Sequence, residues 1–250
     1  MNDLLHENTF INKSMINYFI KTKLIFKYNN NFLNIQFYSI KKNIKKIKKI
    51  KKCIERIKIL LKKLNNKYNF NIIIVDYNIK RKFIDENYSI NGGYTYLNNN
   101  INKYIYIFRY SEICKVILHE ILHHFYIYKL DDVIYKNDIF NRKIFINYNE
   151  AIIEFLATIY QCKFTNTDIN KEIKYNKKIA ENILNMDLKN ISNIYSYVVI
   201  KYILMLNYKN VLKNINNKEW IYNYIDNYKL KIKNKKPFKN ELIMVSCSDI

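Results

Sequence analysis

One short stretch, residues 113–125, restricts how this chain can fold more than any other. His119 and His123 lie four residues apart, and Glu120 directly follows the first of them. Because an α-helix turns once in about 3.6 residues, this spacing places both imidazoles on one helix face, one turn apart. Apolar residues surround them at helical spacing: Ile113, Val116, Ile117, Leu118, Ile121, Leu122 and Phe125. The sequence therefore predicts a buried helix whose two imidazoles can share a metal ion.

A metal ion bound by this pair needs a further protein ligand. Zinc in an enzyme usually has three protein ligands and one open position. No histidine follows His124, which lies off the metal-facing side and is predicted to be a packed or solvent-facing residue. The third ligand is therefore predicted to be a carboxylate. The candidates are Glu150, Glu154, and the neighbouring Asp131 and Asp132.

Glu150 is the preferred candidate because of the segment in which it lies. Glu150 and Glu154 are four residues apart on a predicted helix that is otherwise made of Ala, Ile, Phe and Leu. Burying an unpaired carboxylate is costly, so an embedded pair indicates a metal ion or a hydrogen-bonded partner. A second interpretation stays open, in which Asn147 and Glu150 form an ordinary capping pair at the start of the helix.

The two motifs together resemble the gluzincin group of zinc metallopeptidases, in which H-E-x-x-H is followed on a second helix by N-E-x-x-x-D/E. The resemblance covers about residues 70–160. It implies that His119, His123 and Glu150 bind a zinc ion (Zn²⁺) and that Glu120 is the general base. It also implies that Glu154 hydrogen-bonds the first zinc histidine from behind and fixes its tautomer. The expected activity is hydrolysis of a peptide bond in a peptide or protein substrate.

Strand signals precede the motif helix. Residues 69–77, 94–97 and 104–108 are rich in Ile, Tyr, Phe and Val, and Gly92 and Gly93 predict a tight turn before the second strand. The chain beyond residue 130 reads as helical. By the resemblance, residues 104–109 would form the edge strand that pairs with an extended substrate, although a plain sheet strand fits them equally well.

These elements predict an α+β, zincin-like fold. It would combine a small mixed sheet, a preceding basic helix, the H-E-x-x-H helix and a mainly helical C-terminal part. The predicted division is an N-terminal segment of unclear role (residues 1–39), a zincin-like core with the metal site (40–165), and a helical C-terminal subdomain with a basic tail (166–250).

A basic amphipathic helix is predicted over residues 40–64. Its Ile and Leu residues recur at spacings of three and four, and twelve Lys or Arg and one Glu lie between them. The simpler interpretation is a helix packed on the core with solvated lysines. The chain has a net charge of +22, so a basic protein that binds nucleic acid or a membrane surface, with a structural or degenerate zinc site, is the alternative function.

The cysteines and the N-terminal residues bear on the cellular compartment of the protein. Cys53, Cys114, Cys162 and Cys247 are scattered without a C-x-x-C pair, which predicts reduced thiols in a cytosol-like compartment. No basic start followed by an apolar core marks a signal peptide, and no run of about 18 apolar residues marks a membrane span. The sequence therefore predicts a cytoplasmic protein without a transmembrane segment.

Overall fold

The computed structural model describes residues 10–77, 91–126, 133–137, 142–184 and 194–228. The described residues form two compact units, one up to Phe125 and one from Tyr126 to Tyr228. A mixed five-stranded sheet with helices makes up the first unit, and helices with a two-stranded hairpin make up the second. The predicted α+β class is therefore confirmed.

Helices and strands alternate in the first unit. They are α1 (Lys13–Phe19), β1 (Lys23–Asn29), β2 (Leu33–Ser39), α2 (Ile44–Lys63), β3 (Asn69–Val75), β4 (Gly93–Thr95), β5 (Asn102–Ile107) and α3 (Ile113–Phe125). The strand order is β1-β2-β3-β5-β4, with β2, β3 and β5 parallel and the two outer strands antiparallel to their neighbours. The segment before residue 40 thus supplies two strands of the sheet.

The prediction that residues 104–109 form the edge strand of the sheet is wrong. Strand β5 lies between β3 and β4, because Tyr106 pairs with Ile73 on one side and with Tyr94 on the other. The edge of the described sheet next to β5 is β4. The sequence could not show this order, since periodicity identifies a strand but not its neighbours.

The paired glycines allow close approach and do not form a turn that needs positive φ. Neither Gly92 nor Gly93 has a positive φ. A Cβ atom on Gly93 would lie 2.6 Å from the Tyr106 carbonyl oxygen, and one on Gly92 would lie 2.9 Å from the Val116 side chain. Both distances are too short for a real contact, so glycine is required where β4 approaches β5 and α3.

Helix α2 confirms the predicted amphipathic pattern. Asn43 caps it, because its Oδ1 accepts the backbone N–H groups of Lys45 and Lys46. One side of the helix is buried (Ile50, Cys53, Ile54, Ile57, Leu60 and Leu61), while most of its lysines are exposed. The helix is therefore held by its apolar side, and whether the lysines bind a partner stays a prediction.

A disulfide joins α2 to the motif helix. Cys53 is bonded to Cys114, in the first turn of α3, with the Cα atoms 5.3 Å apart. The prediction that all the thiols are reduced is therefore wrong for these two residues, while Cys162 is free and buried. The pair is 61 residues apart in the chain, and spacing alone gives no sign of such a pairing. The predicted cytoplasmic location stays a prediction and loses this support.

The second unit begins with two strands that were not predicted. Strands β6 (Val133–Asn137) and β7 (Arg142–Ile146) form an antiparallel pair, whereas the sequence reads as helical beyond residue 130. The helices are α4 (Tyr148–Thr165), α5 (Ile169–Leu184), a π-helix (Tyr195–Ile200), α6 (Lys201–Leu206), α7 (Tyr208–Lys213) and α8 (Lys218–Asp226).

Two of the candidate ligands and the predicted basic tail lie outside the described residues. Asp131, Asp132 and the basic tail from residue 229 are not among the described residues. In the part of the chain that is described, no helix has both the length and the apolar character needed to cross a membrane.

We expect reduction of the Cys53–Cys114 disulfide to destabilise the protein. Opening a covalent loop of this length restores conformational freedom to the unfolded chain, which costs about 2–4 kcal/mol of folding free energy. Urea denaturation with and without a reducing agent measures the difference. The double variant Cys53→Ala, Cys114→Ala is the control, because its stability should not respond to the reducing agent. Identical wild-type curves under both conditions would contradict the bond.

Candidate metal centre

Helix α3 brings the two motif histidines together as predicted. The Nε2 atoms of His119 and His123 lie 3.1 Å apart. Two nitrogen ligands at about 2.0–2.1 Å from a tetrahedral zinc ion would be separated by roughly 3.3 Å. The same nitrogen of each ring therefore faces the other, at close to the separation that a shared ion requires.

The pair lies at the boundary of the buried core, since His119 is buried and His123 is partly exposed. His119 and Glu120 are each 7% exposed, and the neighbouring Ile117 and Ile121 are fully buried. At most one of the two Nε2 atoms carries a hydrogen, because two N–H groups at this distance would point their hydrogens at each other. At least one nitrogen lone pair is therefore directed into the space between the rings, where a cation would bind.

His124 has a different role from its two neighbours. Its Nε2 lies 2.8 Å from the Thr95 hydroxyl oxygen, which itself donates to the Tyr104 carbonyl. The single hydroxyl hydrogen of Thr95 is thus already used, so His124 donates its Nε2 hydrogen. Burial, with Lys103 and His123 nearby, lowers the pKa of His124 to about 4. The residue is a neutral, packed histidine, as predicted, and it joins α3 to the end of β4.

Glu150 lies in the first turn of α4, in the second unit. Asn147 caps this helix, because its Oδ1 accepts the Glu150 backbone N–H at 2.9 Å. In a full capping box the Glu150 carboxylate would accept the Asn147 N–H, but that N–H donates to Ser196 Oγ at 2.9 Å. The cap therefore uses the Glu150 backbone N–H and not its carboxylate. Metal binding by the carboxylate is compatible with this cap.

Glu154 is paired with a cation that the sequence analysis missed. Its Oε1 lies 3.6 Å from Lys201 Nζ, and both side chains are 1% exposed. Lys201 is the first residue of α6, directly after the π-helix, and π-helical turns are frequent at functional sites. The predicted contact of Glu154 with a zinc histidine stays a prediction. The available signal was the lysine itself, which interrupts an apolar run from Tyr195 to Leu206.

Substitutions in the Lys201–Glu154 pair test whether this ion pair is buried. Lys201→Met leaves the Glu154 carboxylate buried without its cation, and we expect a loss of about 3–5 kcal/mol of stability. Adding Glu154→Leu to this variant should recover most of the loss, because the remaining charge is removed. Chemical denaturation of the two single variants and the double variant measures the coupling.

A matched control is available on α2. Lys58 Nζ lies 3.0 Å from the Glu55 carboxylate, and the two side chains are 43% and 65% exposed. Lys58→Met should change stability by less than about 0.5 kcal/mol, since exposed ion pairs contribute little. Equal losses from Lys201→Met and Lys58→Met would contradict a buried pair.

The chain matches no protein-family model, no curated protein and no solved structure. The resemblance to gluzincins therefore rests on H-E-x-x-H in α3 and N-E-x-x-x-E in α4. Of the residues in these motifs, the structure brings His119 and His123 to one point and places Glu150 and Glu154 on successive turns of one helix.

Proposed function

We propose that this protein is a zinc-dependent metallopeptidase whose metal ligands are His119, His123 and Glu150. The observation that carries the proposal is the close approach of two Nε2 atoms, 3.1 Å apart, on a buried helix. Two imidazoles and one carboxylate form a donor set that could hold a metal ion. Zinc accepts these ligand types, and a His₂Glu set with one open position is typical of catalytic zinc.

Glu120 is proposed as the general base. It follows His119 directly, so it projects about 100° around the helix from that ligand. Its side chain is 7% exposed, and a largely dry environment strengthens its interaction with a reacting proton. A zinc ion held by His119, His123 and Glu150 would act as a Lewis acid and would lower the pKa of a bound water molecule toward about 7. Glu120 would accept a proton from the water that attacks the peptide carbonyl and would pass it to the leaving amine as the peptide C–N bond breaks.

Glu154 is proposed to position a ligand. A carboxylate behind a zinc histidine fixes the ring tautomer, and such residues influence metal affinity without touching the metal. The nearly complete burial of Glu154 and its pairing with Lys201 support a fixed position for this carboxylate. The proposed substrate is a peptide or protein.

Replacing the general base should separate metal binding from catalysis. We expect Glu120→Gln to retain a stoichiometric amount of zinc and to lose peptidase activity by a factor of about 10²–10⁴, since the amide cannot accept the proton. Metal content is measured by mass spectrometry and activity by cleavage of an unstructured protein. Glu55→Gln, at an exposed position on α2, is the control. Full activity in Glu120→Gln would exclude the assigned role.

Replacing the two α4 carboxylates should identify the third ligand. Glu150→Ala removes a direct ligand and should abolish stoichiometric zinc binding. Glu154→Ala removes a positioning contact and the anion that faces Lys201, so, without denaturant and at a temperature at which the variant remains folded, it should weaken zinc affinity by about 10–100-fold. Competition with a chromophoric chelator measures both. The reverse order of effects would make Glu154 the ligand, and tight zinc binding by a wild type without peptidase activity would favour a degenerate site.

A further inference from the structure

Helix α2 presents one continuous, lysine-rich side to solvent. We use the name α2 basic face for the exposed residues Ile44, Lys45, Lys48, Lys52, Glu55, Ile59 and Lys62. Because each helical residue adds about 100° of rotation, these positions fall within an arc of about 100°. This arc is opposite the buried stripe of the helix, so in the described part of the chain it is exposed to solvent.

The charge on this face is strongly one-sided. Glu55 is the only acidic residue of α2, and its carboxylate is already engaged by Lys58 Nζ at 3.0 Å. The cations are lysines, while the one arginine of the helix, Arg56, is partly buried outside the arc. Lysine is a point charge suited to a diffuse anionic surface, whereas readers of individual phosphates favour the planar arginine fork.

Exposed isoleucines accompany these lysines at both ends of the face. Ile44 is 66% exposed and Ile59 is 57% exposed. They are 15 residues apart, or about 22 Å along the helix axis. Aliphatic side chains among lysines fit the boundary between lipid headgroups and acyl chains. A single-stranded nucleic acid would stack its bases on aromatic side chains, and α2 contains none.

A cavity adjoins the C-terminal end of the α2 basic face. It has a volume of about 300 Å³ and is lined by Phe32, Leu33, Lys58, Leu61 and Lys62, together with asparagines. Phe32, at the turn between β1 and β2, is 54% exposed. The cavity therefore combines apolar walls with two ammonium groups, which is the chemistry of an acyl chain below an anionic headgroup.

We propose that the α2 basic face docks on an anionic phospholipid bilayer. Its lysines lie against the headgroups, and Ile44 and Ile59 enter the boundary with the acyl chains. The attraction is electrostatic and falls off within a Debye length, so added salt weakens it. The residues of the α2 basic face are distinct from the proposed metal ligands.

Vesicle co-sedimentation of the full chain tests the proposal. We expect binding to phosphatidylcholine vesicles that contain phosphatidylserine and none to pure phosphatidylcholine. The triple variant Lys45→Gln, Lys48→Gln, Lys52→Gln should bind about 10–100-fold more weakly, because each lysine contributes up to about fivefold. The control variant Lys171→Gln, Lys174→Gln, Lys178→Gln removes the same charge from exposed positions on α5 and should bind within about threefold of wild type.

Two results of the vesicle experiment would contradict the proposal. Absence of binding to the anionic vesicles excludes docking, and equal weakening in the two triple variants assigns the binding to net charge alone. A gel-shift assay with duplex DNA tests nucleic acid as the alternative ligand. Tighter binding to DNA than to vesicles, lost in the α2 triple variant, would reassign the α2 basic face to nucleic acid.

The double variant Ile44→Ser, Ile59→Ser tests the two exposed isoleucines. It should weaken vesicle binding and leave DNA binding unchanged. Unchanged vesicle binding would contradict membrane insertion of these side chains.

Discussion

Burial of helix α3 is the constraint on which the first unit depends. The helix carries three imidazoles and a carboxylate, yet almost all of its residues are inaccessible to solvent. Three contacts hold it there: the close approach of Gly92 to Val116, the bond from Cys114 to α2, and the hydrogen bond between His124 and Thr95. Polar groups are costly to bury, so each of them on this helix has to be balanced by a hydrogen bond, an ion pair or a bound ion.

The two sides of helix α2 serve separate purposes. The inner side is fixed by apolar packing and by Lys46, whose ammonium group lies 2.7 Å from Asp76 Oδ1 and also faces the Tyr110 ring. Asp76 in turn accepts a hydrogen bond from Ser39 at the end of β2. None of these contacts involves the α2 basic face. The packing of α2 therefore rests on its inner side alone, and the lysines of the α2 basic face are exposed to solvent.

Local sequence patterns predicted most elements of the first unit and the histidine pair. Helix α2, strand β3 and helix α3 each follow a periodicity that can be read within the segment itself, and the spacing of His119 and His123 fixes their shared face. Apart from the unpredicted strands β6 and β7, the misses are contacts between distant residues. The position of β5 inside the sheet, the bond between Cys53 and Cys114, and the pairing of Lys201 with Glu154 each join segments that only the fold brings together.

The Cys53–Cys114 bond has a consequence for the denatured chain as well. Strands β3, β4 and β5 all lie between these two residues in sequence, while β1 and β2 lie outside them. In the oxidised chain, three neighbouring strands of the sheet thus remain within one covalent ring after the native contacts are lost. The denatured ensemble is correspondingly compact and exposes less surface, which lowers the dependence of the unfolding free energy on denaturant concentration.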